Sequence, residues 1–252
     1  MKELEAYSSK NIAGRKILIT GGTTGIGRAT ARILAGLGAK VFITGRNLEP
    51  LMQTLKDTRE MYPDAEIDGV VSDLSDKDQI EKLFEAYRGK FGDLDVMINN
   101  AALGADGITE GDYNRWEYIL DTNLLHYLAC ANAAAKMMKT KKSGHIVNVG
   151  SMSAETAEAE GTVYVATKAG VRGFTAALRK EVNPLGIKVT LIEPGAASSD
   201  MQPGDSEDHR KKIEKMEMLE AEDVAATIVY CLSQPERSDI VSLQVKPTMQ
   251  II

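Results

Sequence analysis

Along this chain, short runs of branched and aliphatic residues alternate with longer stretches whose apolar positions return every three or four residues. The first pattern suits strands buried on both faces, and the second suits amphipathic helices. Strands are expected at residues 16–20, 40–44, 66–71, 94–99, 145–149, 188–192 and 241–245. The helical period predicts helices over about 25–37, stopped by Gly38, then near 48–61 and over 77–90. One long helix is expected over about 112–139, with others over 163–181 and 221–232. Strands that alternate with helices imply a doubly wound α/β architecture, a parallel sheet with helices on both faces. No repeat or long Pro/Gly/Ser linker interrupts the rhythm, so residues 1–252 are expected to form a single domain. Residues 196–216 depart from it. They are polar, carry Pro203 and Gly204 and then become a charged helix, which suits either a lid over a site or a plain surface excursion.

Composition narrows the function classes. Apolar residues at 43% and charged residues at 26% are ordinary for a globular protein with a sizeable core. A net charge of −6 argues against nucleic acid as a partner, yet leaves room for a local basic pocket that takes phosphate. The two cysteines, Cys130 and Cys231, sit in apolar helical stretches and read as buried free thiols. Residues 1–10 are polar, expected to be flexible, and lack the apolar core of a secretory leader. No apolar run approaches the roughly 18 residues that cross a bilayer, so a soluble cytoplasmic protein without a membrane partner is expected. His126, His145 and His209 show no ligand spacing, and no metal site is expected.

Chemistry enters at the end of the first strand. The run Thr20-Gly21-Gly22-Thr23-Thr24-Gly25-Ile26-Gly27 opens directly into a helix. Glycines there permit a tight turn and close backbone approach to a pyrophosphate, while the helix N-terminus supplies N–H donors and a favourable dipole. Between a first strand and a first helix, this is the turn of a Rossmann-type dinucleotide site. The second strand ends in Thr44-Gly45-Arg46, with a guanidinium where an acidic residue would select a free ribose 2′-hydroxyl. Arg46 points instead to a 2′-phosphate, hence NADP(H). Tyr164 and Lys168 are four residues apart and share a helix face. A neighbouring ammonium stabilises phenolate, which is expected to lower the Tyr164 pKa and make it a proton donor and acceptor. Ser151 follows the 145–149 strand, where its hydroxyl can hold a substrate oxygen. A Tyr–Lys pair alone is common surface chemistry.

Taken together and in order, Thr20-Gly21-x-x-x-Gly25-x-Gly27, Asn99-Asn100-Ala101, Ser151, Tyr164, Lys168 and Pro194-Gly195 resemble the short-chain dehydrogenase/reductase family over nearly the whole chain. The resemblance implies a catalytic set of Asn123, Ser151, Tyr164 and Lys168, with Asn123 holding a water in a proton relay. It implies cofactor contacts from Gly21, Thr23, Thr24, Gly25, Ile26, Gly27 and Arg46. Further contacts would come from Asp73 and Leu74 at the adenine, from Asn100, Tyr164 and Lys168, and from Pro194, Gly195 and Ser199 near the nicotinamide. It also implies a homo-oligomer, tetramer or dimer, with Trp116 and Tyr118 at the start of a helix that packs between subunits. Two departures stand out: Ala102 replaces the glycine of the usual Asn-Asn-Ala-Gly run, and the C-terminal end lacks an Asp-Gly-Gly segment. That end, with Gln234-Pro235-Glu236-Arg237 and Lys246-Pro247-Thr248-Met249-Gln250, is similar to the serine 3-dehydrogenase and 3-hydroxy acid dehydrogenase branch.

Substrate walls are expected from residues 103–110, 152–162 and 196–216. The middle segment is short, polar and acidic, which fits a small polar substrate better than a long apolar one. Its glutamates, Glu155, Glu158 and Glu160, read most simply as a solvated face. A carboxylate substrate would need a cation, for which Arg210, Lys211 and Lys212 are the candidates. The expected activity is NADP(H)-dependent hydride transfer to or from a small carbonyl or secondary alcohol, such as a hydroxy acid. The alternative is a catalytically silent nucleotide sensor or scaffold of the same fold, against which the intact catalytic set counts. A methyltransferase or sugar epimerase is disfavoured by the glycine spacing and by the lack of a larger C-terminal domain.

Overall fold

Residues 9–250, apart from 106, 160 and 203, are described by a computed structural model. Seven parallel strands, β1 (Lys16–Thr20), β2 (Lys40–Gly45), β3 (Ile67–Val71), β4 (Val96–Asn99), β5 (Gly144–Val149), β6 (Ile187–Pro194) and β7 (Ser242–Val245), form one sheet in the order β3-β2-β1-β4-β5-β6-β7. The apolar runs decide that order. β1, β2, β4 and β5 are buried almost throughout and occupy the middle, whereas β3 and β7 expose residues and form the edges.

Successive strand residues point to opposite faces, so each face has its own core. Ile17 and Ile19 of β1 pack with α1 (Gly25–Gly36), α2 (Leu48–Met61) and, through Val224 and Ile228, a late helix at residues 221–233. Leu18 faces the other way, toward Leu83 and Tyr87 of α3 (Lys77–Phe91). The expected long helix is broken. α4 (Tyr113–Leu120) runs into a π-helical turn, Asp121–Leu125, before α5 (His126–Lys139). An extra residue per turn is not encoded in an apolar period, and it rotates the faces of α5 relative to those of α4. After β5 come a single turn, α6 (Ser153–Thr156), and α7 (Thr162–Val182). The charged helix expected within 196–216 is α8 (Ser206–Glu214), and α9 (Ala221–Ser233) precedes β7.

Other departures are small. β4 begins at Val96, and β6 is longer than expected, carrying Pro194 at its end. Residues 1–8 of the expected flexible terminus lie outside the described residues, but Ser9–Ile12 forms a 3-10 turn whose Ile12 is fully buried. Cys130 and Cys231 are buried thiols, and burial pushes them up to about 12 and about 11 respectively. Among the described residues no helix is long and apolar enough to cross a membrane, and no His, Cys, Asp or Glu cluster could hold a metal. The chain runs outward from β1 to β3 on one side and resumes at β4 on the other. The resulting crevice lies at the C-terminal ends of β1 and β4.

Candidate active site

The glycine turn sits at that crevice. Gly21 adopts φ 63°, which an L side chain rarely tolerates. A Cβ at Gly27 would overlap the Gly21 carbonyl oxygen and come within 2.6 Å of Asn100 Nδ2, so the turn and helix approach as only glycine allows. Asn100 Nδ2 donates to the carbonyls of Thr20 and Gly21, 3.1 Å each. The Thr20 hydroxyl accepts from the main-chain N–H groups of Asn100 (3.0 Å) and Ala101 (3.2 Å). Its own proton is then left to reach His126 Nε2 at 3.5 Å. Burial pulls His126 down to about 3, so the ring is neutral and its Nδ1–H faces the Thr122 carbonyl. Asp76, Asp112 and Asp205 cap α3, α4 and α8, but Thr24 makes no side-chain cap on α1 and no acid stands in its first turn. The first-turn N–H donors and the dipole remain available to an anion, and the cradle fits a pyrophosphate.

Arg46, just past β2, donates through Nη1 to the Tyr118 hydroxyl at 2.8 Å, and that hydroxyl donates to Asp73 Oδ2 at 3.1 Å. Burial works to raise the Asp73 carboxyl, but bonds from Ser75 and Tyr118 and the Arg46 charge hold it below the usual carboxylate range. A solvent-facing guanidinium is thus anchored beside the end of β2, and its remaining donors suit a phosphate. Leu74 follows Asp73. Its side chain is buried in the core with Ile80.

Tyr164 and Lys168 share a face of α7, as their spacing predicts. Lys168 is fully buried. Its Nζ donates to the Val149 carbonyl at 2.9 Å and lies 5.6 Å from the Tyr164 ring centroid and 5.4 Å from that of Tyr127. Burial draws the ammonium down to about 7. Tyr164 corrects an expectation: its pKa is raised, not lowered. Burial dominates, the Ser151 hydroxyl pulls it back, and Glu158 pushes it up again. The hydration the phenol loses on burial outweighs what the Ser151 bond returns. Ser151, Tyr164 and Lys168 line one cavity of about 350 Å³, together with Ile26, Asn100, Pro194, Gly195 and Ser199.

Asn123 lies in the π turn and is fully buried. Its Oδ1 accepts from the Leu103 N–H (2.7 Å) and its Nδ2 donates to the Leu103 carbonyl (2.8 Å). The side chain clamps the loop at 103. Two positioning residues escaped the sequence reading. Tyr127 donates to the same Val149 carbonyl at 2.9 Å, and Asn148 bonds Asn99 (2.8 Å) and Thr175 (2.9 Å), tying β4 and β5 to α7. An asparagine amid the apolar run of β5 was the one available signal; nothing local marks Tyr127.

All three expected walls reach the cavity, through Gly104 and Ala105, through Met152 and Glu158, and through Ala196 and Met201. The base of the third is pinned where Ser198 N–H donates to Leu219 and Leu219 N–H donates to Ala196, both at 2.9 Å. Pro203 and Glu160 lie outside the described residues. Glu155 pairs with Arg172 on the surface, and Glu158, exposed as expected, also lines the cavity. The candidate cations do not. Arg210 is held by Glu207 and Glu214 and Lys211 pairs with Glu207, all on exposed α8 at i,i+3 and i,i+4 spacing.

A family model described as short chain dehydrogenase matches residues 15–210. An uncharacterized oxidoreductase of Staphylococcus saprophyticus subsp. saprophyticus is 33% identical over 231 residues, 91% of this chain and 96% of that protein. A metagenomic short-chain oxidoreductase in complex with NADP is 27% identical and superposes with a TM-score of 0.81, over 95% of this chain and 100% of that one. An actinorhodin polyketide ketoreductase with NADPH is 29% identical, with a TM-score of 0.83 over 93% and 96% of the two chains.

Proposed function

The chain belongs to the short-chain dehydrogenase family, and from that premise we propose that it moves hydride between NADP(H) and a small polar carbonyl or secondary alcohol, with Tyr164 as the acid/base. The observation that carries this reading is the meeting of Ser151, Tyr164 and Lys168 in one cavity beside the glycine turn. The NADP and NADPH in two similar structures support the choice of cofactor, as does the guanidinium past β2. When bound, the nicotinamide supplies or accepts the hydride.

The protein's own groups do the rest. The first turn of α1 binds the pyrophosphate, and Arg46 takes the 2′-phosphate. Ser151 orients the substrate oxygen beside the phenol. Burial keeps Tyr164 protonated near neutral pH, the form that carbonyl reduction consumes. Lys168, fastened to Val149, fixes α7 against β5, and with it the spacing of Tyr164 and Ser151. The exposed apolar residues Leu125, at the end of the π turn, and Leu128 of α5 support self-association through that stretch, as a homo-oligomer.

Loss of 340 nm absorbance with NADPH and a panel of small ketones tests the reading. Tyr164→Phe should lower kcat about 10²- to 10⁴-fold while leaving NADPH binding in place. Full rate in that variant, on a ketone the wild type reduces, would refute the role.

A further inference from the structure

We propose that Glu158 selects a substrate bearing an amine cation close to the reacting carbonyl, and that the site disfavours carboxylate substrates. This rests on the reading of Ser151 and Tyr164 above, and it departs from the hydroxy acid that the C-terminal resemblance suggests.

Of the described side chains lining the cavity, two carry charge, Glu158 and Lys168. The Lys168 ammonium is fully buried and bonded to Val149, so it offers no counter-charge to a ligand. Glu158 is exposed at the cavity wall, where its carboxylate accepts from the Thr156 hydroxyl. Burial acts to raise its pKa, but bonds from Thr156 and Ser153 outweigh it and keep the group ionised. Hydroxyl donors orient a carboxylate without cancelling its charge, and no described basic side chain pairs with Glu158. Its neighbour Glu155, by contrast, is matched by Arg172 and Gln244.

Glu158 stands just past the end of α6, at the cavity rim. Ala157, directly after α6, adopts φ 52°, a left-handed conformation that costs a non-glycine residue and ends that turn of helix just before Glu158. The charge is close enough to act on the Tyr164 phenol. A cation seated there would meet an uncompensated carboxylate in a half-enclosed cleft, whereas an anion would be repelled.

Three methyl ketones of one size but different charge test this: aminoacetone, hydroxyacetone and pyruvate, each with NADPH. Wild type should reduce aminoacetone with the highest kcat/KM and pyruvate with the lowest. Glu158→Gln keeps shape and acceptor, and it should cut the aminoacetone-to-hydroxyacetone ratio roughly five- to tenfold, through KM. An unchanged ratio, or a preference for pyruvate, overturns the proposal. Calorimetric binding of 1-amino-2-propanol and 1,2-propanediol to the NADPH-saturated protein, a dead-end complex of alcohol with reduced cofactor, reads Glu158 without turnover. The amine should bind more tightly, with the difference lost in Glu158→Gln; equal or undetectable binding of both to wild type overturns the proposal. Full turnover by Tyr164→Phe would sink the underlying catalytic reading instead, and the amine-over-diol difference would still report on Glu158.

Discussion

Lys168 donates its Nζ to the main-chain oxygen of Val149 at 2.9 Å, joining the helix that carries Tyr164 to the strand that ends just before Ser151. The bond places a charge-bearing group in the core. Tyr127 donates to the same oxygen, so the acceptor stays satisfied when Lys168 is replaced.

Burial depresses Lys168 to about 7 from its usual 10.5. Between those values the unfolded chain holds a proton that the folded protein has released, so stability rises with pH across that window. Below about 7 both states are protonated and the contribution is smallest. Lys168→Met removes this component. The urea-unfolding free energy of wild type relative to the variant should grow from pH 7 to pH 9, by up to about 1.4 kcal/mol per pH unit. A pH-independent difference would mean that the lysine titrates normally.

Arg46→Ala should weaken NADPH about 10- to 100-fold, the effect of one or two lost charge-assisted hydrogen bonds, and leave NADH almost unchanged. Tyr118 still donates to Asp73 in the variant, so the local structure survives. Titration calorimetry with both cofactors checks it; equal losses would place Arg46 away from the 2′-phosphate. Converting Gly45 to Asp is a poorer probe, because a Cβ there would come within 2.6 Å of Thr23 Cγ2.

Two glycine-to-alanine changes should have opposite signs. At Gly27 a Cβ meets the Gly21 backbone. Gly27→Ala should therefore cost about 1–3 kcal/mol and abolish dinucleotide binding. At Gly173, exposed within α7, a Cβ meets nothing within 4 Å, and Gly173→Ala should stabilise by roughly 0.5–1 kcal/mol. Thermal midpoints with and without NADP distinguish the two.

Asn123→Ala leaves the N–H and carbonyl of Leu103 without their partners, at a cost of about 1–3 kcal/mol. Hydrogen exchange at the Leu103 amide should accelerate. Asn123→Asp keeps the acceptor for that N–H and should protect the amide more than alanine does. Equal exchange in wild type and Asn123→Ala would show that the clamp does not hold the loop.

The reach of the sequence is set by the range of the interactions involved. Strand and helix periods, the glycine turn and the Tyr164–Lys168 spacing are local, so they were legible, and β1 and α2 fall on the expected residues. Only the folded chain decided which groups meet across long separations. The π turn that buries Asn123, the Val149 carbonyl beneath Lys168 and the left-handed Ala157 each depend on packing between elements. The direction of the Tyr164 shift belongs with them. Sequence spacing shows an ammonium one helical turn away, but the balance between its field and lost hydration is set by how deeply the fold buries both groups.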